Sequence, residues 1–167
     1  REGLIGGGCH AMDLVRWVAG NPLEVCCYTN RILMGAVGWP TDDTGVLIAK
    51  FPNGVIGKIF VSVGAKRPYT MRTVLYGTKG TIICDNTSPE LRIFEQPHAK
   101  ETGIQFTKIP VNIASHNVTE ELREFVACLD HGKPSPTDVF EGMRTVAFGE
   151  AALRSAREGR PVKVPAI

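Results

Sequence analysis

The sequence predicts an α+β fold: a large, mainly antiparallel sheet with helices packed on one face. Three observations carry that expectation. Seven segments rich in β-branched and aromatic residues follow one another between residues 23 and 109. The breaks between them are short and carry turn chemistry. Helical apolar spacing opens and closes the chain. Strands joined by such short turns must run antiparallel, because a parallel pair needs a crossover of about a dozen residues or more.

The first helix is read from His10, Leu14, Trp17 and Val18, which recur at helical spacing and stop at Gly20 and Pro22. That makes about three turns, preceded by Gly6, Gly7 and Gly8 as a tight entry turn. Trp17 is assigned to the core face. The strands are Leu23–Asn30, Thr44–Phe51, Val55–Val63, Tyr69–Gly77, Thr81–Asp85, Leu91–Glu95 and Gln105–Ile109, with "FPNG" at 51–54 and "GTKG" at 77–80 as turns. In the third strand one face carries Val55, Gly57, Ile59, Val61 and Val63. The other carries Ile56, Lys58, Phe60 and Ser62, too apolar for a fully solvated surface. Helices are therefore expected on one side of the sheet and another surface, such as a second subunit, on the other.

Asn117 followed by Glu120 is a capping-box-like start, and Val118, Leu122, Phe125, Val126 and Leu129 form an apolar stripe that ends before Gly132 and Pro134. "SPTD" at 135–138 begins the last helix with Pro136 at its first position, leading into Val139, Met143, Val146 and Leu153. Gly142 and Gly149 inside it cost roughly 1 kcal/mol each relative to Ala, so they are read as points of close approach to the sheet. "RPVKVP" suggests a short edge strand blunted by Pro161 and Pro165.

Composition narrows the function. A chain of 167 residues, 43% hydrophobic and 22% charged, can bury the core of one globular domain, here residues 1–167. Its 19 basic and 17 acidic residues give a net charge of +2 with no dense basic stripe, so no nucleic-acid partner is expected. No stretch approaches the roughly 20 apolar residues of a membrane span, and the first residues lack signal-peptide architecture. Cys9, Cys26, Cys27, Cys84 and Cys128 are odd in number and form no CxxC pair, which suits reduced thiols and a cytoplasmic setting.

Residues Gly6 to Ala11 match G-x-G-x-x-A, the phosphate-cradling turn of dinucleotide-binding folds. That motif needs a buried strand before it and an acidic residue about 20 positions later, at the end of a parallel strand. Only Leu4 and Ile5 precede the glycines, and the next strand ends in Asn30. A cofactor loop is therefore disfavoured.

His10 and Asp13 remain, three apart and so on one helix face. A carboxylate there could fix the imidazole tautomer, and histidine suits proton transfer near neutral pH. The bland alternative is a core or capping histidine bonded to Asp13 or to a carbonyl. His98, His116 and His131 are read as solvated or capping, with no metal site. Asp42 and Asp43 are read as a strand-entry turn.

Four stretches, in order, are "GGGCHAMDLVRWVAG", "DDTGVLIAKFPNGVIGKIFVSVG", "LYGTKGTI" and "EGMRTVAFGEAALRSAREGRPVKVP". Together this set resembles the C-terminal part of the Gfo/Idh/MocA oxidoreductases, relatives of glucose-fructose oxidoreductase and inositol dehydrogenase. The resemblance implies an upstream Rossmann domain that binds NAD or NADP and holds a Glu-Lys-Pro motif, so that this chain is a fragment and binds no cofactor alone. It implies that the sheet carries much of the substrate site and the oligomer interface. The family's G-x-H-x-x-D is similar to Gly8, His10 and Asp13, which implies His10 as acid/base, Gly8 beside the pocket and Asp13 as a brace for the helix. Many members place an Asp four residues before that histidine; here the position is Gly6.

The implied function is the substrate-binding and oligomerisation domain of an NAD(P)-dependent oxidoreductase acting on a sugar, polyol or related hydroxy compound, a homo-oligomer through its sheet face. The alternative is a non-catalytic binding or assembly module in which His10 is structural.

Overall fold

The computed structural model describes residues 3–95, 106–114 and 117–167. Its elements are α1 (Gly3–Ala19), β1 (Glu24–Asn30), β2 (Thr44–Lys50), β3 (Ile56–Ser62), β4 (Arg72–Gly77), β5 (Gly80–Asp85), β6 (Glu90–Phe94), β7 (Thr107–Pro110), α2 (Val118–Asp130), α3 (Val139–Glu158) and β8 (Val162–Lys163). The strands form two four-stranded sheets, ordered β3-β2-β1-β8 and β4-β5-β6-β7, with antiparallel pairing throughout. The fold is α+β, with helices packed against an antiparallel sheet. Among the described residues no helix is long and apolar enough to cross a membrane.

Two compact units divide the chain: Arg1–Lys66 with Pro134–Ile167, and Arg67–Lys133. In the first, the two-residue period of the strands turns Val25 and Cys27 of β1, Leu47 and Ala49 of β2 and Ile59 of β3 towards one core. Leu4 and Met12 of α1 and Phe148, Ala151 and Ala152 of α3 close it from the other side. The rings of Phe51 and Phe148 meet edge to face at 6.3 Å. Burying side chains of this size stabilises the unit by about 1.5–3 kcal/mol each.

The expected edge strand forms as β8, which pairs with β1 through Glu24↔Lys163 and Val25↔Val162. Ser155 fixes that return. Its hydroxyl accepts from the Cys27 N–H at 3.0 Å and donates to the Arg160 carbonyl at 2.7 Å, while Gly159 ends α3 at a φ of 65°.

The helix faces differ from expectation. The buried face of α1 is Leu4, Gly8, Met12 and Arg16, four residues apart, whereas Trp17 is 84% exposed and Val18 is exposed as well. Trp17 is therefore not a core residue. In α3 the buried face is Thr145, Phe148, Gly149, Ala151, Ala152 and Ser155. Val139, Met143 and Val146 are exposed, and of the four expected positions Leu153 alone packs on the core. Gly149 approaches α1 rather than the sheet: a Cβ there would lie 3.0 Å from Ile5 and 3.4 Å from the Met12 sulfur. Gly142 faces open space. The cap of α3 is Asp138, which accepts from the Glu141 N–H at 2.9 Å, so Pro136 lies ahead of the helix. Asn117 stands before α2 at a φ of 54° without a side-chain capping bond.

The opposite face of the first sheet exposes Tyr28, Val46, Ile48, Ile56 and Phe60. Val46 stands between Tyr28 and Phe60 in the ladder.

In the second unit, β4 and β5 form a hairpin in which Gly77 pairs with Gly80 across the turn. Asp85 closes its far end. It accepts from the Thr87 hydroxyl at 2.6 Å and the Thr87 N–H at 2.9 Å, and pairs with Arg72 at 2.9 Å. These hydrogen bonds, from Thr87 above all, lower its pKa from 3.8 to about 2.

Candidate functional site on helix α1

The glycine run lies inside α1, which begins at Gly3, so it is not an entry turn. Three glycines cost such a helix roughly 1 kcal/mol each in intrinsic stability. Packing explains two of them. A Cβ on Gly8 would stand 2.8 Å from a methyl of Val61, and one on Gly7 would stand 3.2 Å from a methyl of Val63. Glycine lets α1 lie directly on β3. The run is therefore no phosphate-cradling turn, and with both sheets antiparallel the described residues hold no βαβ crevice.

His10 follows this stretch and projects from the side of α1 opposite the core. It is exposed, and no hydrogen bond joins it to another of the described residues. Among the described residues His10 is therefore neither buried nor bonded to Asp13 or to a carbonyl. Trp17, seven residues on, shares its exposed face.

Asp13 turns away from His10. Its Oδ1 accepts from the Thr145 hydroxyl at 2.9 Å and from Arg16 Nη1 at 3.3 Å. It ties α1 to α3 instead of holding the imidazole.

Arg16, which the sequence reading did not single out, is the centre of this network. Its side chain is only 4% exposed. Nε donates to Asn21 at 3.0 Å, and Nη1 also reaches the Thr145 hydroxyl at 2.7 Å and the Glu141 carbonyl at 3.1 Å. Nη2 donates to the Glu141 carboxylate at 2.6 Å. That bond, helped by the charge of Arg144, holds the Glu141 carboxyl below its ordinary value. The available signal was the four-residue spacing Leu4, Gly8, Met12, Arg16, which places the arginine on the buried face.

The other candidates fall elsewhere. Asp43 is buried and accepts from the Met34 N–H and the Thr44 hydroxyl, each at 2.8 Å; Asp42 accepts from the Thr29 hydroxyl. Both serve the loop that enters β2. His131 Nδ1 lies 2.8 Å from the Ala127 carbonyl at the end of α2, while His98 and His116 lie outside the described residues. Among the described residues no cluster of three or more His, Cys, Asp or Glu could hold a metal ion. All five thiols are free and Cys27 is buried. Burial above all pushes the Cys27 thiol up to about 11.

Residues 3–164 match the family model described as the oxidoreductase family, C-terminal alpha/beta domain. The chain belongs to the Gfo/Idh/MocA family. Among its relatives, a myo-inositol 2-dehydrogenase of Thermotoga maritima is 26% identical over 160 residues, covering 95% of this chain and 48% of that protein. A D-apiose dehydrogenase of Paraburkholderia graminis is 23% identical over 172 residues, covering 96% of this chain and 44% of that protein. The fold is similar to that of levoglucosan dehydrogenase in complex with NADH and levoglucosan, with a TM-score of 0.83 at 18% identity, over 99% of this chain and 51% of that one. The Gfo/Idh/MocA chain described here thus spans about half the length of the relatives it matches.

Proposed function

We propose that this chain is the substrate-binding and oligomerisation domain of an NAD(P)-dependent oxidoreductase acting on a sugar, polyol or related hydroxy compound. The observation that carries the reading is the family's G-x-H-x-x-D on one helix, with Gly8 pressed on β3, Asp13 tied to α3 and His10 projecting outward. The names of its relatives, which include dehydrogenases of inositol and apiose, support the substrate class.

In this reading an imidazole nitrogen of His10 accepts the proton of the substrate hydroxyl during oxidation and returns it in the reverse direction. Proton transfer by a positioned side chain contributes about 10²–10⁴-fold to a rate. Gly8 lets the helix sit close to the sheet, and Asp13 ties that helix to α3. In this reading NAD or NADP is held by residues outside this chain, which is supported by the glycines of α1 forming helix interior rather than a phosphate loop. The exposed apolar face bearing Tyr28, Val46, Ile48, Ile56 and Phe60 packs against a second copy of the protein. Five free thiols fit a cytoplasmic setting.

One observation favours a second reading, a non-catalytic binding or assembly module: Gly6 occupies the place where many members hold an Asp. His10→Ala in the full-length protein separates the two. Turnover falls roughly 10²-fold or more if His10 moves the proton, whereas an unchanged rate supports the second reading.

A further inference from the structure

We propose that Arg16 is a positioning residue for His10, its buried guanidinium setting where the imidazole stands; the inference rests on His10 being the acid/base. The imidazole has no hydrogen-bonding partner of its own among the described residues, so its place is the place of its helix. On one side of it the helix runs through Gly6, Gly7 and Gly8, residues of low intrinsic helix propensity. On the other side stands the arginine, six residues on and about 9 Å along the axis.

Arg16 reaches Asn21, Asp13, Thr145 and both the carbonyl and the carboxylate of Glu141. Thr145 in turn donates to Asp13. The planar fork of a guanidinium engages partners in several fixed directions at once, so it resists both rotation and axial slip of α1 on α3. Among the described residues Arg16 is the buried cation of the molecule. Stability alone does not call for it, since an apolar residue of similar volume often serves as well or better in a buried position. A displacement of about 1 Å at a reacting group can cost 10²-fold in rate.

The test is a double-mutant cycle on kcat in the full-length protein with its nucleotide and a turned-over polyol or sugar. Arg16→Met and Arg16→Lys are made with His10 present and in the His10→Ala background. With His10 present, each is expected to lower kcat roughly tenfold or more while the KM for the nucleotide stays within about twofold. In the His10→Ala background neither is expected to lower kcat further, because Arg16 acts through His10. Equal losses in both backgrounds, or no loss in either, overturn the proposal. Where Arg16→Met does not fold, as judged by circular dichroism, Arg16→Lys and Thr145→Val decide by the same cycle. Unchanged kcat in His10→Ala alone removes the underlying reading together with this one, whereas additive losses remove this one only.

Discussion

Replacing Gly8 by alanine sets two effects of known size against each other. Alanine in a helix interior is favoured over glycine by about 1 kcal/mol. The added methyl would stand 2.8 Å from a Val61 methyl and 3.7 Å from the end of Met12. Val61 is β-branched and stiff about χ1, and it packs on the core, so it cannot swing aside freely. Overfilling a packed site costs about 1–3 kcal/mol. The overlap is therefore expected to win, leaving Gly8→Ala net destabilised by up to about 2 kcal/mol. Gly142→Ala isolates the first effect, because nothing lies within 4 Å of a Cβ there. It should stabilise by up to about 1 kcal/mol. For a chain of this size 1 kcal/mol shifts Tm by about 2–4 °C, so thermal melts followed by circular dichroism should move in opposite directions for the two variants. If Gly8→Ala raises Tm as Gly142→Ala does, α1 is not pressed onto β3 and the account of the glycine run is wrong.

Two further predictions concern single groups. Cys27, whose thiol is pushed up to about 11, should resist alkylation in the native protein at mildly basic pH and react once denatured; native labelling as fast as in denaturant contradicts its burial. Asp85 has its folded pKa lowered from 3.8 to about 2, so its contribution to stability is present above the ordinary value and is lost as pH falls towards 2. Asp85→Asn should lower Tm at neutral pH by an amount that shrinks across that window, and a difference that does not change with pH would refute the assignment.

The strands were legible because their signals are local. Alternation in β3 correctly separates Ile59 and Val61, which pack on the core, from Ile56 and Phe60, which face outward. The two-residue turn after Gly77 fixes its hairpin in the same way. The buried faces of α1 and α3 were not legible from apolar spacing, because much of each is not apolar. Gly8 is buried for close approach; Arg16, Thr145 and Ser155 are buried because hydrogen bonds satisfy them. Those partners are remote: Glu141 lies 125 positions from Arg16, and Thr145 lies 132 from Asp13. The placement of His10 and Asp13 on one helix could be read in the sequence. That Asp13 serves α3 while His10 stands free of it required the packing of the two helices.

The central claim is tested most directly by supplying the full-length protein with NAD or NADP and a panel of polyols and sugars, and following the absorbance of reduced nicotinamide. Reduction is predicted with at least one member of the panel, at a rate that His10→Ala lowers roughly 10²-fold. Bound nucleotide that no polyol or sugar reduces, or a His10→Ala protein that turns over at the parent rate, would contradict it.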